Sequence, residues 1–310
     1  EKEKKYLKQI KAQRLWKKIL TTQQETGTPY LMYKDACNRK SNQQNLGTIK
    51  SSDLCAEIVE YTSKDEIAVC TFASIALPKF VSNTETPEFL FDELIKTARM
   101  VTKNLNHCID KSTYPLEEAK TSNTRHRPIA IGVQGLADVF NMMRLPYDSA
   151  EAKILNDKIF ETIYFGSVQE SIALAKKHGS YSSFKGSPAS EGKLQFDLWG
   201  VQPTKYDWTQ IKTDLKQYGM RNSLLTGCMP TASSASILGN TESFEPRTSN
   251  MYVRRVLSGE FIILNKYLER ECRKKGIWDD EFVNKMIANR GSVQNIHGIP
   301  EDIKKIYKTK

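Results

Sequence analysis

In SSDLCAEI (51–58), Cys55 stands two residues after Asp53 and two before Glu57. Side chains alternate faces in an extended segment, so these three would point one way and Leu54, Ala56 and Ile58 the other. A nucleophilic thiolate needs a cation, a histidine or a helix N-terminus to lower its pKa. Two flanking carboxylates do the opposite and hold Cys55 as a neutral thiol, which argues against cysteine-protease or acyl-transfer chemistry. A neutral thiol beside a base suits hydrogen-atom chemistry, with Glu57 as the base. An ordinary cysteine on the polar face of an edge strand is the other reading of the same residues.

The second chemical stretch is CMPTASSASILGN (228–240). Small residues after Pro230 let backbone N–H groups approach a ligand, hydroxyls add donors, and a helix start favours an anion. Thr231, Ala232, Ser233 and Ser234 therefore read either as a phosphate cradle without a P-loop lysine or as an ordinary Ser/Thr cap. GVQGLAD (132–138) lacks dinucleotide-turn spacing, so Gly132 and Gly135 read as close strand-to-helix packing. RHRP (125–128) reads as a solvated loop, and TESFEPRTSNMYVRR (241–255) as an ion-pair network. None of the six cysteines forms a CxxC pair, and no histidine stands at metal-ligand spacing from two of them. No metal site is expected. Cys70, inside an apolar run, reads from the residues alone as an inert buried thiol.

The elements that must position these groups follow from periodicity. Residues 1–22 carry an apolar stripe among lysines and read as a helix, and YLMYKDAC (30–37) reads as a short strand. A polar loop rich in Asn and Gln (39–48) leads to the Cys55 segment, and EIAVCTFASIAL (66–77) suits a buried strand containing Cys70. Helices are expected over 87–110, 149–179, 206–220 and 256–276. Strand, glycine turn and helix are expected over 127–146, and a further strand over 221–230. Ser149 and Gly179 are suited to start and stop the longest helix. Alternating strands and helices predict an α/β protein with a largely parallel, barrel-like sheet.

The chain has 310 residues, 39% hydrophobic and 26% charged, with a net charge of +10 concentrated at its two ends. No apolar run is long enough for a membrane span and the N-terminus is not a signal peptide, so a cytoplasmic protein is expected. No nucleic-acid-binding signature accompanies the basic charge, and only weak, non-specific nucleic-acid binding is expected. The chain starts and stops in mid-pattern, as part of something larger would.

Taken in order, NQQNLGTIKSSDLCAEI, VCTFASIAL, HRPIAIGVQGLAD, RNSLL…MPTASSASILGN and RRVLSGEF resemble the large catalytic subunit of class I ribonucleotide reductase, of the eukaryotic or eukaryotic-virus type. The resemblance runs over essentially all of the chain. It implies part of a ten-stranded α/β barrel with a central finger loop, here about 45–60. The regulatory cone, the first half-barrel and the C-terminal tail are then expected to be absent from residues 1–310. By resemblance, Cys55 is the thiyl-radical cysteine that takes the 3′ hydrogen of a ribonucleoside diphosphate, and Glu57 takes the 3′-hydroxyl proton. Cys70 is one member of the redox pair, and Thr231 to Ser234 bind the substrate diphosphate. The resemblance also implies a radical supplied by a metal-containing small subunit, a thioredoxin- or glutaredoxin-type reductant, and ATP or dNTP effectors bound outside this segment. Further implied partners are the rest of the large subunit and a large-subunit dimer.

Four positions depart from the family pattern. Asp53 stands where the family has Asn, so an amide donor is exchanged for a charge near Glu57. Thr71 follows the redox cysteine in place of Asn, and Thr241 and Arg247 stand where Asn and Tyr are expected. Without a partner thiol for Cys70 or a tyrosine pair for Cys55, this chain alone is expected to be inactive. The alternative is a family relative that keeps the fold and acts as a nucleotide-binding or regulatory protein.

Overall fold

The computed structural model describes residues 8–310. The first seven residues of the helix expected over 1–22 lie outside them. The described part is α1 (Ala12–Thr26), ended by Gly27 in the left-handed conformation. Its stripe, including Leu15, Trp16 and Leu20, faces solvent. The strand expected over 30–37 is instead irregular chain leading into α2 (Lys34–Lys40). Asp35 in the first turn and Arg39 and Lys40 in the last complement the helix dipole, which outweighs the short apolar run before it.

The strand expected over 66–77 is shorter: β1 is Phe72–Ala76, and Cys70 lies ahead of it, exposed. Residues 63–67 are committed elsewhere, with Ser63 N–H on Glu66 O (2.8 Å) and Ile67 N–H on Glu118 O (3.1 Å). After α3 (Phe91–Lys111) and α4 (Glu117–His126) the chain returns as β2 (Ala130–Gln134), parallel to β1 in the register Phe72↔Ala130 to Ala76↔Gln134. Every residue of β2 is buried, as a strand covered on both faces requires. Gly135, at φ 80°, turns directly into α5 (Leu136–Met142). A Cβ there would lie 2.7 Å from Pro78, so glycine is needed both for its backbone angle and for space.

The long helix α6 (Ala150–His178) has the expected ends: Ser149 Oγ accepts from Ala152 N–H, and Gly179 follows the last turn. It packs on α3, whose backbone at Ile95 comes within 3.0 Å of where a Cβ on Gly166 would sit. Short α7 (Gln195–Trp199) and α8 (Thr209–Tyr218) complete this layer. The strand expected over 221–230 is a single bridge, Ile131↔Thr226, flanked by Ile129 N–H on Leu224 O and Ile131 N–H on Leu225 O. It leads past Pro230, which has no N–H to continue a ladder, into α9 (Ala232–Leu238).

The helix expected over 256–276 is a correction in its first half. β3 (Met251–Val256) and β4 (Gly259–Leu264) form an antiparallel hairpin around Leu257 and Ser258, and only then does α10 (Lys266–Lys274) begin. β-branched Val253, Val256, Ile262 and Ile263 favour the pleat, and Ser258–Gly259 supplies the turn. Asn265 caps α10 by accepting from Tyr267 and Leu268 N–H. α11 (Asp280–Ala288) and α12 (Glu301–Ile306) follow.

Two main apolar cores result. The larger joins β1, β2, α3, α5 and α6 through residues such as Leu77, Leu94, Val133 and Ile159. The second holds α10–α12 together through Leu268, Cys272, Met286 and Ile303. The α/β class and the parallel pair agree with expectation, and the strands of the described residues do not close into a barrel.

Candidate functional site

The Cys55 segment is a turn rather than an extended strand. Asp53 N–H donates to Ile58 O (3.0 Å), Ile58 N–H donates to Asp53 Oδ1 (3.1 Å), and Ala56 takes a φ of 69°. Alternation therefore does not set the faces. Closure of the chain on itself between Asp53 and Ile58 gathers the acidic side chains instead. Leu54 and Cys55 form its exposed tip, and Ile58 anchors its base against Ala130 and Met229.

The approach to this turn is fixed by polar side chains that the sequence reading treated only as a loop. Asn42 Nδ2 donates to Tyr181 Oη and Ser223 O, while its Oδ1 accepts from Ala189 N–H. Gln43 Nε2 reaches Ser223 Oγ at 3.0 Å, and its Oε1 accepts from Tyr61 N–H at 2.8 Å. Both residues are buried. The concentration of Asn and Gln in 42–45 was the available signal, since such side chains substitute for ladder partners where backbone groups are buried.

Electrostatically the loop is an acid-rich patch. Glu57 is raised above the usual carboxylate range, first by burial and then by the hydrogen bond to and the charge of Asp53, against an opposing backbone hydrogen bond. Its Oε2 is buried without a partner. Glu60, 7% exposed, is pushed up to about 8 by burial and by Asp53. Cys70, exposed but partly desolvated by the chain around it, is pushed up to about 11, first by that desolvation and then by Glu60, Asp53, Glu57 and Cys55. The fold thus brings four predicted residues, Asp53, Cys55, Glu57 and Cys70, into one electrostatic neighbourhood. Glu60 is a member that the sequence reading missed. At neutral pH, Cys70 is a thiol.

The second predicted group sits at the start of α9. Thr231 is buried and its Oγ1 is occupied, accepting from Ser243 N–H at 2.8 Å. Ala232, Ser233 and Ser234 are exposed on the first turn, whose amides have no intrahelical acceptor. Gln134 Nε2 bridges Ser74 Oγ (2.9 Å) and Ser234 Oγ (3.4 Å), joining β1, β2 and α9 at one end of the sheet. The turn also approaches the loop. A Cβ on Gly227 would touch Ala130 at 3.1 Å and Ile58 at 3.3 Å.

The unusual residues 71, 241 and 247 all have partners. Thr71 Oγ1 accepts from Asn123 Nδ2 (3.2 Å). Thr241 donates from N–H and Oγ1 to Asp138 Oδ2 (2.6 and 2.9 Å), and Arg247 pairs with the other oxygen of the same fully buried Asp138. These two departures are thus coupled through one carboxylate.

RHRP is not a solvated loop. His126 and Arg127 are buried: Arg127 holds Asp110 (2.6 Å), and His126 bridges Glu66 (2.9 Å) and Ser183 (2.6 Å). Arg125 and Glu66 also face a polar cavity of about 500 Å³ lined by Asn45, Tyr61, Ser183 and Lys185. That cavity's lining includes none of Asp53, Cys55, Glu57 or Cys70. Among the described residues no cluster of His, Cys, Asp and Glu has the arrangement of a metal site. No helix there is long and apolar enough to cross a membrane.

The family described as ribonucleotide reductase, barrel domain, matches residues 1–310. The ribonucleoside-diphosphate reductase large subunit of Caenorhabditis elegans is 56% identical over 305 residues, which is 97% of this chain and 38% of the relative. The large subunit of Variola virus is 53% identical over 310 residues, 100% of this chain and 40% of the relative. Among solved structures, the Actinobacillus ureae class Id ribonucleotide reductase alpha subunit superposes with a TM-score of 0.71 at 28% identity, over 96% of this chain and 49% of that one. The chain spans less than half the length of the curated relatives quoted.

Proposed function

This chain belongs to the ribonucleotide reductase barrel-domain family, and we propose that it forms part of the catalytic barrel of a ribonucleoside-diphosphate reductase, with residues 45–60 as its finger loop. The observation that carries the reading is the convergence of Cys55, Glu57 and Cys70 in one neighbourhood close to the start of α9.

In this reading Cys55, exposed at the tip of the turn, abstracts the 3′ hydrogen as a thiyl radical. A radical-generating small subunit supplies the oxidising equivalent, and a thiol-based reductant restores the redox pair. Ionised Glu57 accepts the 3′-hydroxyl proton as the 2′ hydroxyl leaves as water. Cys70, a thiol at neutral pH, supplies a reducing equivalent together with a partner thiol. Exposed amides and hydroxyls at Ala232, Ser233 and Ser234 meet the substrate diphosphate, and buried Thr231 fixes the turn by holding Ser243. The effectors bind outside this segment, and the working assembly contains the remaining large-subunit residues and a second large subunit in the cytoplasm.

Asp53 favours a second reading, a nucleotide-binding relative without turnover, because its carboxyl raises Glu57, the base that must be ionised. Two measurements separate the readings. One is calorimetric titration of the chain with a ribonucleoside diphosphate. The other is diphosphate reduction by a chimera carrying this segment in place of its counterpart in the Caenorhabditis elegans subunit. Reduction that is lost on Cys55→Ala, Glu57→Gln and Cys70→Ser supports the enzyme. Binding without reduction in a folded chimera supports the second reading, and absence of both overturns the proposal.

A further inference from the structure

His126 is 1% exposed and both of its ring nitrogens are engaged: Nε2 lies 2.9 Å from Glu66 Oε2, and Nδ1 lies 2.6 Å from Ser183 Oγ. The proposed reduction gives none of these three residues a task. They come from separate parts of the chain: Glu66 closes the turn begun at Ser63, His126 ends α4, and Ser183 follows α6. Through its other oxygen Glu66 accepts from Arg125 Nη1, which keeps the carboxyl ionised. An ionised carboxylate can only accept, so Nε2 carries the single ring proton of neutral His126, and Nδ1 is left as an acceptor. The 2.6 Å hydrogen bond therefore runs from Ser183 Oγ–H to Nδ1, and the hydroxyl proton already points at a base.

The serine is not sealed in. It is half-buried, its Oγ has no other hydrogen-bond partner among the described residues, and with Glu66 it lines the polar cavity of about 500 Å³. Asn45 Nδ2 donates to Ser183 O (3.0 Å) and Lys185 O (3.4 Å), which fixes this wall of the cavity. Arg125 and Lys185 line it as well, with Asp65 and Tyr61 as the remaining titratable groups. A hydroxyl on a base, the base on a carboxylate, open space at the hydroxyl and cations around that space are the parts of an acyl-transfer site.

We propose that Ser183, His126 and Glu66 form a second catalytic site, on the polar cavity, that hydrolyses small polar carboxylic esters, with Ser183 as nucleophile, His126 as general base and Glu66 as the residue that positions the imidazole. Ser183 Oγ attacks the ester carbonyl carbon as its proton passes to His126 Nδ1, and the carbonyl electron pair moves to oxygen, where Arg125 and Lys185 supply positive charge. Collapse breaks the bond to the alkoxy oxygen, which leaves as an alcohol with the proton from Nδ1. Water then attacks the acyl-serine with the same proton transfers, and the carboxylic acid leaves Ser183 free. None of Asp53, Cys55, Glu57 and Cys70 lines the cavity, so this site stands apart from the proposed reduction, and no nucleotide or radical enters its test.

The full chain is treated with a fluorophosphonate-alkyne, which a base-activated serine displaces at phosphorus with loss of fluoride, and the adduct is located by peptide mass spectrometry. Ser183 is expected to carry it, at a rate about a hundredfold or more above that of the chain unfolded in urea, the range of general-base assistance. Because the charged groups facing His126 are Glu66 and Arg125, and His126 is lowered from 6.5 by burial, the rate should be level around pH 7 and fall on acidification with a midpoint below 6.5. This profile needs no variant. His126→Gln, shown by circular dichroism to be folded, should lose the same hundredfold. No adduct at Ser183, an equal rate in urea, or a rate unchanged down to pH 5 overturns the proposal. With exposed thiols blocked by N-ethylmaleimide, turnover of p-nitrophenyl acetate should drop to background in Ser183→Ala, whose only lost side-chain bond is the one to His126; equal turnover in the two chains also overturns it. Loss of nucleotide reduction with this behaviour intact counts against the proposed function alone.

Discussion

Glu60 and Glu66 stand six positions apart and titrate in opposite directions. Burial raises Glu60 and nothing cationic opposes it. Burial acts on Glu66 too, but hydrogen bonds from His126 and Arg125 overcome it and hold that carboxyl below its ordinary value. His126 is itself lowered by burial and is neutral at pH 7. The signs follow by linkage. The raised Glu60 binds more protons when folded, so its contribution falls as pH rises from about 4.5 through about 8. The lowered Glu66 and His126 bind fewer when folded, so theirs is lost on acidification, His126 below about 6.5 and Glu66 below about 4.5. Urea unfolding of Glu60→Gln should therefore lack the alkaline loss of the wild type, a difference on the order of 4 kcal/mol between pH 5 and pH 9. Asp53→Asn should lower the Glu57 titration midpoint measured by carboxyl-carbon NMR, because it removes a neighbouring acid while burial remains. An unmoved midpoint would mean that burial alone raises Glu57.

Gly132 shows how an element positions the site. A Cβ there would lie 2.7 Å from both Gly227 O and Met229 Sδ, so β2 lies against the chain leading to Pro230 with no room for a methyl group. Gly132→Ala should cost about 2–3 kcal/mol in denaturant midpoint and loosen amide protection over 227–234 in hydrogen exchange. Ser149→Ala should cost about 1 kcal/mol with no effect at that end of the sheet, since it removes only the cap of α6. Gly132, Gly135 and the Ser149 cap were legible in the sequence because strand, turn and helix over 127–146, and both ends of α6, are set by neighbouring residues. What was not legible depended on distant partners. The burial of His126 and Arg127 follows from Asp110, Glu66 and Asn106, and α2 is tied down by Asn38 holding Ile49, whereas the hairpin at 251–264 carried a local signal in its β-branched residues and Ser258–Gly259. At the site, residue types named Cys55, Glu57 and the turn at 231–234, and the resemblance added Cys70. Glu60 escaped notice because only burial makes it unusual, and alternation failed because Asp53 closes a turn.

Over the whole molecule, the two main cores meet across a polar seam. Asn265 bonds Asn141 (3.2 Å), Arg144 pairs with Glu271 and with Asp302 (2.8 Å), and Lys308 pairs with Asp148 (2.6 Å). Buried Asp138 lies under the same region, held by Thr241 and Arg247. Arg247→Met leaves that carboxylate without its cation and should cost about 3 kcal/mol by urea unfolding, less if the Thr241 bonds hold it, whereas exposed Arg255→Met should change little. Leu268→Ala should cost about 3 kcal/mol and, because the seam is polar, raise amide exchange in 266–307 well before it does so in α3 or α6. The parallel pairing of β1 with β2 has a kinetic counterpart. Its partners lie far apart in the chain, with α3 and α4 between them, so no hairpin can nucleate the sheet. The ends must find each other after loop-closure entropy has been met, a cost that the folding of α3 and α4 within the connecting segment reduces. Folding of this chain is therefore set by a late, non-local closure, with the Cys55 turn seated only after it.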